Sequence, residues 1–204
     1  MSPSPFDTHN PSVSGKIVAA LERISEAFRV LLWNEGKAHG LSPLQLQILI
    51  FLRHHEAEEL RKVSHLAAEF NLAKATVSEA VKALEKKGWI EKDFGQTDQR
   101  SFAIGLTAAG EALAGQMERF ATSIEAPIAS LAADAQADLL LNLLAIIRHL
   151  HQQGVISVQR MCFSCRHFRP GQAGQAHFCQ LLQAPLTTAE LRVDCPEHEA
   201  ITTL

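Results

Sequence analysis

Four cysteines, Cys162, Cys165, Cys179 and Cys195, stand close together in a chain of 204 residues that has no other cysteine. Their spacing is C-x2-C-x13-C-x15-C. Two residues between cysteines let both thiolates face one metal while turn N–H groups point at the sulfurs. Four thiolates satisfy either a tetrahedral zinc or a cubane iron–sulfur cluster. A reducing cytosol disfavours structural disulfides, so clustered cysteines point to metal or redox chemistry. A segment of roughly 40 residues is marginal without such a staple, and metal ligation can supply its folding energy. Zinc ribbons usually carry a second C-x2-C, whereas here the last two cysteines stand alone. His167, His177 and His198 lie near enough in sequence to act as substitute ligands or as second-layer groups. Phe163, Phe168, Phe178, Leu181 and Leu182 supply apolar cover that would keep water from a cluster.

A second constellation lies earlier. Two short helices around a tight turn, followed by a two-stranded hairpin, make a winged helix-turn-helix, whose second helix enters a DNA major groove by its N-terminal residues. Here those residues are Lys74, Ala75, Thr76 and Ser78, with Lys82 one turn on. Lys74 and Lys82 suit phosphates, and Lys74 also suits a guanine. Thr76 and Ser78 can hydrogen-bond bases or phosphates, and a methyl of Ala75 or Thr76 can touch a thymine methyl. Arg100, at the hairpin tip, suits a narrow minor groove. Residues 61–106 hold eight Lys/Arg and six Asp/Glu, a net of +2 in a chain of net −3. The more basic segment is thus the one expected to meet phosphate. No paired carboxylate motif, Gly-rich phosphate loop or nucleophile elbow points to an enzyme, and His54 and His55 fall on an expected buried helix end.

The elements that must position these groups read mainly as helices. Residues 1–14, with Pro3, Pro5 and Pro11, read as a disordered arm. Apolar residues Ile17, Leu21, Ile24, Phe28, Leu31 and Leu32 recur at helical spacing, and Gly36 and Gly40 bracket that helix's end. Ser42 as N-cap and Pro43 at the first position open a second helix, nearly apolar all round through Leu46, Leu49, Ile50 and Leu52 and so expected to be buried. Ser64 is placed to cap a short third helix. Asn71 suits a left-handed turn, a helix over 74–87 follows, and Gly88 stops it. "WIEKDF" and "SFAIGL" read as strands around a tip with Gly95 and Asp98. Thr107 caps a long helix that Pro127 is expected to interrupt or kink. A leucine-rich helix over about 134–151 ends at Gly154, and Cys179 and Cys195 are expected on separate loops. This organisation gives an arm (1–14), a winged helix-turn-helix domain with terminal helices (15–155, DNA-binding core 43–106) and a Cys-rich metal-binding module (156–204). "MSPSPFDTHNPSVSGK" has no apolar signal region, and "LLLNLLAII" (139–147) is too short to span a bilayer and carries Asn142. No membrane association and a cytoplasmic location are expected.

In order and spacing, "LSPLQLQILIFL", "VSHLAAEFNLAKATVSEAVKALEKKGWI", "DQR" and "LTAAG" resemble the MarR-type regulators over residues 17–151. The resemblance implies a mainly α homodimer. The 17–39 helix and the two helices after Thr107 would form its interface, and the winged domains would read a pseudo-palindromic double-stranded operator. It also implies repression of transcription relieved by a small-molecule effector, oxidant or metal, with Trp33, His39 and His54 as candidate pocket residues. Three positions depart from the pattern. Ala73 replaces the usual Ser or Thr N-cap of the recognition helix, Glu79 stands where a basic residue is common, and the wing's Asp-Arg-Arg is Asp98-Gln99-Arg100. Asp98 would orient Arg100 by a charge-assisted hydrogen bond. The tail, including Cys195-Pro196, resembles iron–sulfur sequences, and its spacing is similar to the 4Fe–4S loop of high-potential iron–sulfur proteins. These likenesses favour a 4Fe–4S cluster over Zn2+ by a narrow margin. The expectation is a DNA-binding regulator with a structural or sensing four-cysteine centre. The alternative is a metal-handling or electron-transfer protein that uses the winged domain only as a scaffold.

Overall fold

The computed structural model describes residues 12–94, 102–171 and 175–201. Residues 1–11 of the expected arm (1–14), and the wing tip with Gly95, Asp98 and Arg100, lie outside the described residues, while 12–14 open a helix and are not part of an arm. Two compact units emerge. The first comprises the chain through Glu56 together with Glu79–Ser123, and the second comprises Ala57–Ser78 and the chain from Ile124 onward.

In the first unit, helix α1 spans Val13–Lys37. It begins two residues before the expected Gly15, because Ser12 accepts a hydrogen bond from the Gly15 amide at 3.0 Å and so caps the orphan donors of the first turn. Helix α2, Pro43–His54, carries a full capping box: Ser42 and Gln45 each bond the other's backbone amide, with Pro43 at the first position. Its Leu46, Ile48, Leu49, Phe51 and Leu52 are buried, and it packs on α1, on helix α5 (Ala108–Met117) and on strand β2 (Ala103–Leu106). Strand β1, Ile90–Asp93, pairs antiparallel with β2 in the register Ile90 to Leu106 and Asp93 to Ala103. Gly88, at φ +74°, turns the chain from the preceding helix into this hairpin. The expected burial of the paired histidines is not found at His54, which is 57% exposed and meets Glu118 at 2.7 Å. His55 instead stacks on Phe51 with ring centroids 3.9 Å apart.

Two breaks fall where the sequence did not place them. Helix α3 spans Val63–Glu69 with Lys62 at the cap position and no side-chain cap bond; Ser64 lies inside the helix. A 3-10 turn over Glu58–Arg61 leads into α3 and starts the helical path early enough to pass Ser64 by. After α5 the interruption is a second 3-10 turn, Glu118–Ala121. Pro127 sits within helix α6, Thr122–Ala129, where the missing N–H removes one ladder bond near the helix's end, not at the break itself.

In the second unit, α3 and the turn lead into the first turn of α4, which runs Lys74–Lys86. Asn71 takes φ +53°, as its side chain permits. Helix α7, Ala133–Gln152, precedes the cysteine segment. Strands β3 (Phe168–Arg169), β4 (His177–Cys179) and β5 (Ala184–Leu186) form an antiparallel sheet in that order. The cysteine segment shares one core with α7. Leu144 of that helix is buried with Met161, Cys162, Cys165, Phe168 and Leu191, and Leu140, Ile147, Phe163 and Leu186 pack around them. Leu144→Ala should therefore cost about 2–5 kcal/mol, the range for a buried leucine whose cavity collapses only partly. The readout is denaturant unfolding, together with faster thiol labelling of Cys162 and Cys165, which are 9% and 8% exposed. Labelling at the wild-type rate would mean that Leu144 does not seal the cysteines. No helix among the described residues is long and apolar enough to cross a membrane.

Candidate nucleic-acid interface and cysteine cavity

The N-terminal face of α4 is built by the turn before it. The Leu72 amide donates to the Ala67 carbonyl at 2.8 Å, closing α3 onto the turn. Ala73 offers no side-chain oxygen, but its carbonyl accepts from the Val77 amide at 3.3 Å, so α4 still starts there. Along α4, Val77, Ala80, Val81 and Leu84 are buried. This periodicity leaves Lys74, Ala75, Thr76 and Lys82 exposed and Ser78 half-buried. All five expected contact residues thus share the solvent side of the helix. Lys82 Nζ reaches Glu79 Oε1 at 2.8 Å, with the two side chains 62% and 73% exposed. Such an exposed pair is worth a few tenths of a kcal/mol, about 0.5 at most, so Lys82 is easily drawn away by a stronger anion. At the wing, Lys92 Nζ meets Glu85 at 2.5 Å and lies over the Phe102 ring. Of the candidate pocket residues, Trp33 is 56% exposed on α1 and His39 is exposed.

Cys162 opens a 3-10 turn, Cys162–Ser164, and Cys165 follows it with its amide donating to the Cys162 carbonyl at 3.0 Å. The Arg192 amide donates to Cys162 Sγ at 3.2 Å, so an N–H does point at a sulfur, but from the distant loop and not from the turn. Cys179 is the last residue of β4 and not on a loop. Strand alternation places His177 and Cys179 on one face and Phe178 on the other, which explains why Phe178 does not line the cavity described next. Cys195 comes from a loop, its amide held by the Arg160 carbonyl at 2.9 Å.

All four cysteines line one cavity of about 40 Å3, with His167, Phe168, Leu181, Leu182 and Leu186 among its walls. Leu181 and Leu182 cover it while staying 45% and 57% exposed. Phe163 stands one ring behind, edge-on to Phe168 at 5.1 Å. Of the three histidines only His167 reaches the cavity wall, and each already has a partner. His167 Nε2 is 3.0 Å from Glu199, His177 Nδ1 accepts from the Gly171 amide, and His198 Nε2 is 2.9 Å from Ser164 Oγ. Burial pushes the Cys162 thiol up, the Arg192 amide works against that, and the other three cysteines add to the rise. Alone, Cys162 is therefore a neutral thiol at pH 7, and ligation has to displace its proton. Among the described residues, no group of three or more Cys, His, Asp or Glu side chains is arranged to hold a metal ion.

The sequence reading missed the polar links made by the segments that lead into Cys162 and Cys195. Arg160, Asp194, Ser157, Asn71 and Glu69 form a set of hydrogen bonds that ties the cysteine segment to α3 and its turn. The available signal was the charge near each outer cysteine, Arg160 two residues before Cys162 and Asp194 directly before Cys195.

Residues 39–101 match the sequence model of the MarR family. Among solved structures, the chain resembles MepR of S. aureus in complex with DNA, with a TM-score of 0.56 at 20% identity over 65% of this chain and 96% of that one. A MarR transcriptional regulator from Methanosarcina mazei Go1 gives a TM-score of 0.54 at 20% identity over 68% of this chain and 96% of that one. CouR from Rhodococcus jostii RHA1, bound to p-coumaroyl-CoA, gives 0.56 at 16% identity over 67% of this chain and 95% of that one. At these identities the likeness is one of fold, and that fold is a winged helix-turn-helix. No curated protein is a significant match.

Proposed function

We propose, from a helix-turn-helix segment that matches the MarR family, that the protein is a homodimeric, sequence-specific DNA-binding transcription regulator acting as a repressor. We further propose that its four cysteines hold a metal centre, a 4Fe–4S cluster in preference to Zn2+. The observation that carries the DNA reading is the solvent face of α4. Lys74, Ala75, Thr76, Ser78 and Lys82 stand together on the side that a groove would meet, behind a turn fixed by Asn71. Lysines there neutralise phosphates, and the short side chains allow the helix close enough to touch base edges.

Dimerisation is supported by α1. Only Leu32 and Gly36 of its 25 residues are buried, while Ile17, Ile24 and Phe28 lie exposed at helical spacing on one side. An apolar row of this length facing water needs a partner, and a second copy offers the same row by twofold symmetry. On α7, Leu139, Leu141 and Ile146 are likewise exposed.

The cavity supports the cluster. Four sulfurs around one zinc at about 2.3 Å stand about 3.8 Å apart, in contact, with no void between them. Here the four cysteines line a cavity of about 40 Å3 together with Phe168, Leu181, Leu182, Leu186, Arg192 and Glu197, a space larger than one ion needs. A cluster supplies one-electron chemistry and sensitivity to oxidants. Of the chain's own parts, Arg192 donates an amide to Cys162 Sγ and the leucines exclude solvent.

Two measurements test this reading. Selection from a random duplex pool should yield a pseudo-palindrome with half-sites about one helical turn apart, bound by twice the chain mass. A monomer without preference among duplexes ends the regulator reading. Protein purified without oxygen should be brown, with about four iron and four sulfide per chain; colourless protein with one zinc assigns the site to zinc. Within the DNA reading, Glu79→Gln should raise affinity for any duplex about threefold at low salt, because it frees Lys82 and removes a charge that repels phosphate. Unchanged affinity would place that part of α4 away from the backbone.

A further inference from the structure

Arg160 sits two residues before Cys162 with only 12% of its side chain exposed. Its guanidinium grips two carboxylates, each at two points. Nη1 and Nη2 donate to Glu69 at 2.8 and 3.0 Å, and Nε and Nη2 donate to Asp194 at 2.7 and 3.1 Å. Burial works against the charge, but the Asp194 and Glu69 carboxylates outweigh it and hold the Arg160 pKa above its usual value. Glu69 ends α3, the first helix of the helix-turn-helix. Asp194 directly precedes Cys195, whose amide bonds the Arg160 carbonyl. The segments carrying Cys162 and Cys195 are thus joined at Arg160, and the same side chain fastens them to α3.

A second contact reaches the turn itself. Ser157 Oγ donates to Asn71 Oδ1 at 2.7 Å, and Asn71 Nδ2 donates to the Val155 carbonyl at 3.3 Å. Asn71 is the residue at φ +53°, three positions before Lys74. The chain between α7 and the first cysteine therefore holds both the end of α3 and the turn that aims the recognition helix. All these residues belong to one compact unit, which also includes α4 as far as Ser78.

We propose that Arg160 and Asn71 are the positioning residues through which ligation of the four cysteines sets the helix-turn-helix for DNA. This rests on the function proposed above and adds how its two parts communicate. With Cys162 and Cys195 drawn to a common centre, Arg160 meets Glu69 and Asp194 together, and the turn is held. Without it, the two segments are held only by the Arg160–Asp194 bonds, the backbone bonds and their shared core, the fork on Glu69 is less firmly backed, and the turn before Lys74 loosens. Ligated protein is the DNA-binding state, and loss of the centre releases the operator.

The test compares the affinity of the full chain for its selected duplex as purified without oxygen and after stripping with a chelator. Wild type should lose about tenfold or more, within the range of coupling between distant sites. Arg160→Met should keep its metal content but bring the loaded-to-stripped ratio close to one, with the loaded protein binding as weakly as the stripped one. Should Arg160→Met fold poorly or fail to load, Asn71→Gly decides. Glycine keeps the positive φ and deletes only the bonds to Ser157 and Val155, and it should lower the ratio at least about threefold with metal content intact. A wild-type ratio in a loaded, folded variant overturns the link. A stripped wild type that binds as tightly as the loaded one overturns it as well and leaves the DNA-binding function standing. Protein that binds neither metal nor duplex overturns the function on which the link rests.

Discussion

Replacing Lys74, Lys82 and Arg100 together with alanine is expected to weaken binding to the selected duplex by about a thousandfold near 0.1 M salt. The slope of log affinity against log salt should become shallower by about 5. The reasoning is charge counting. Each cation that neutralises a phosphate releases about 0.9 counterion, and a twofold molecule presents each of the three residues twice. Lys74 and Lys82 stand exposed on α4, and Lys82 is restrained only by its exposed pair with Glu79. Arg100 enters on the sequence reading of the wing tip. Thr76→Ala and Ser78→Ala should behave differently, costing about 1–3 kcal/mol on the preferred sequence and little on others, because base contacts specify and phosphate contacts only position. If the triple variant keeps both the affinity and the salt slope of the parent, α4 is not the groove-facing element. The chain would then fit the metal-handling alternative.

Gly110→Ala should cost the fold about 3 kcal/mol, the upper end for overpacking. Gly110 is the third residue of α5 and lies where that helix meets the entry to the wing. Its amide donates to Thr107 Oγ1 at 3.0 Å, the Thr107 hydroxyl donates to the Gly88 carbonyl at 2.7 Å, and the Thr107 amide donates to the Trp89 carbonyl at 3.2 Å. A Cβ at Gly110 would fall inside the Trp89 carbonyl. Neither backbone can retreat without breaking the cap or the wing register at Ile90 and Leu106. The thermal midpoint should fall by about 10 °C. Gly115→Ala is the control. Its new methyl meets the tip of the Arg53 side chain, which Glu111 and Glu118 hold and which has to give by only a few tenths of an ångström, so the gain in helix propensity offsets that shift and the variant should stay within about 1 kcal/mol of the parent. Equal melting of the two variants would show that α5 and the wing do not meet at Gly110.

The sequence by itself determined the parts whose physics is short-ranged. Ser42 and Pro43 start α2, Asn71 makes the left-handed turn, Gly88 leads into the wing and Thr107 caps α5, because each satisfies a backbone group within a few residues. Helical periodicity fixed which side of α4 faces water, and with it the common face of Lys74, Ala75, Thr76, Ser78 and Lys82. Where a local signal had a competitor, it failed: a preceding 3-10 turn passes Ser64 by, and the break after α5 ignores Pro127. Only the tertiary structure decided that the cysteine segment shares its core with Leu144 of α7, that Cys179 ends a strand, and that Arg160 reaches across 91 residues to Glu69. Contacts at such separation leave no period or spacing in the chain, since they depend on how finished elements pack and not on the order of neighbouring residues.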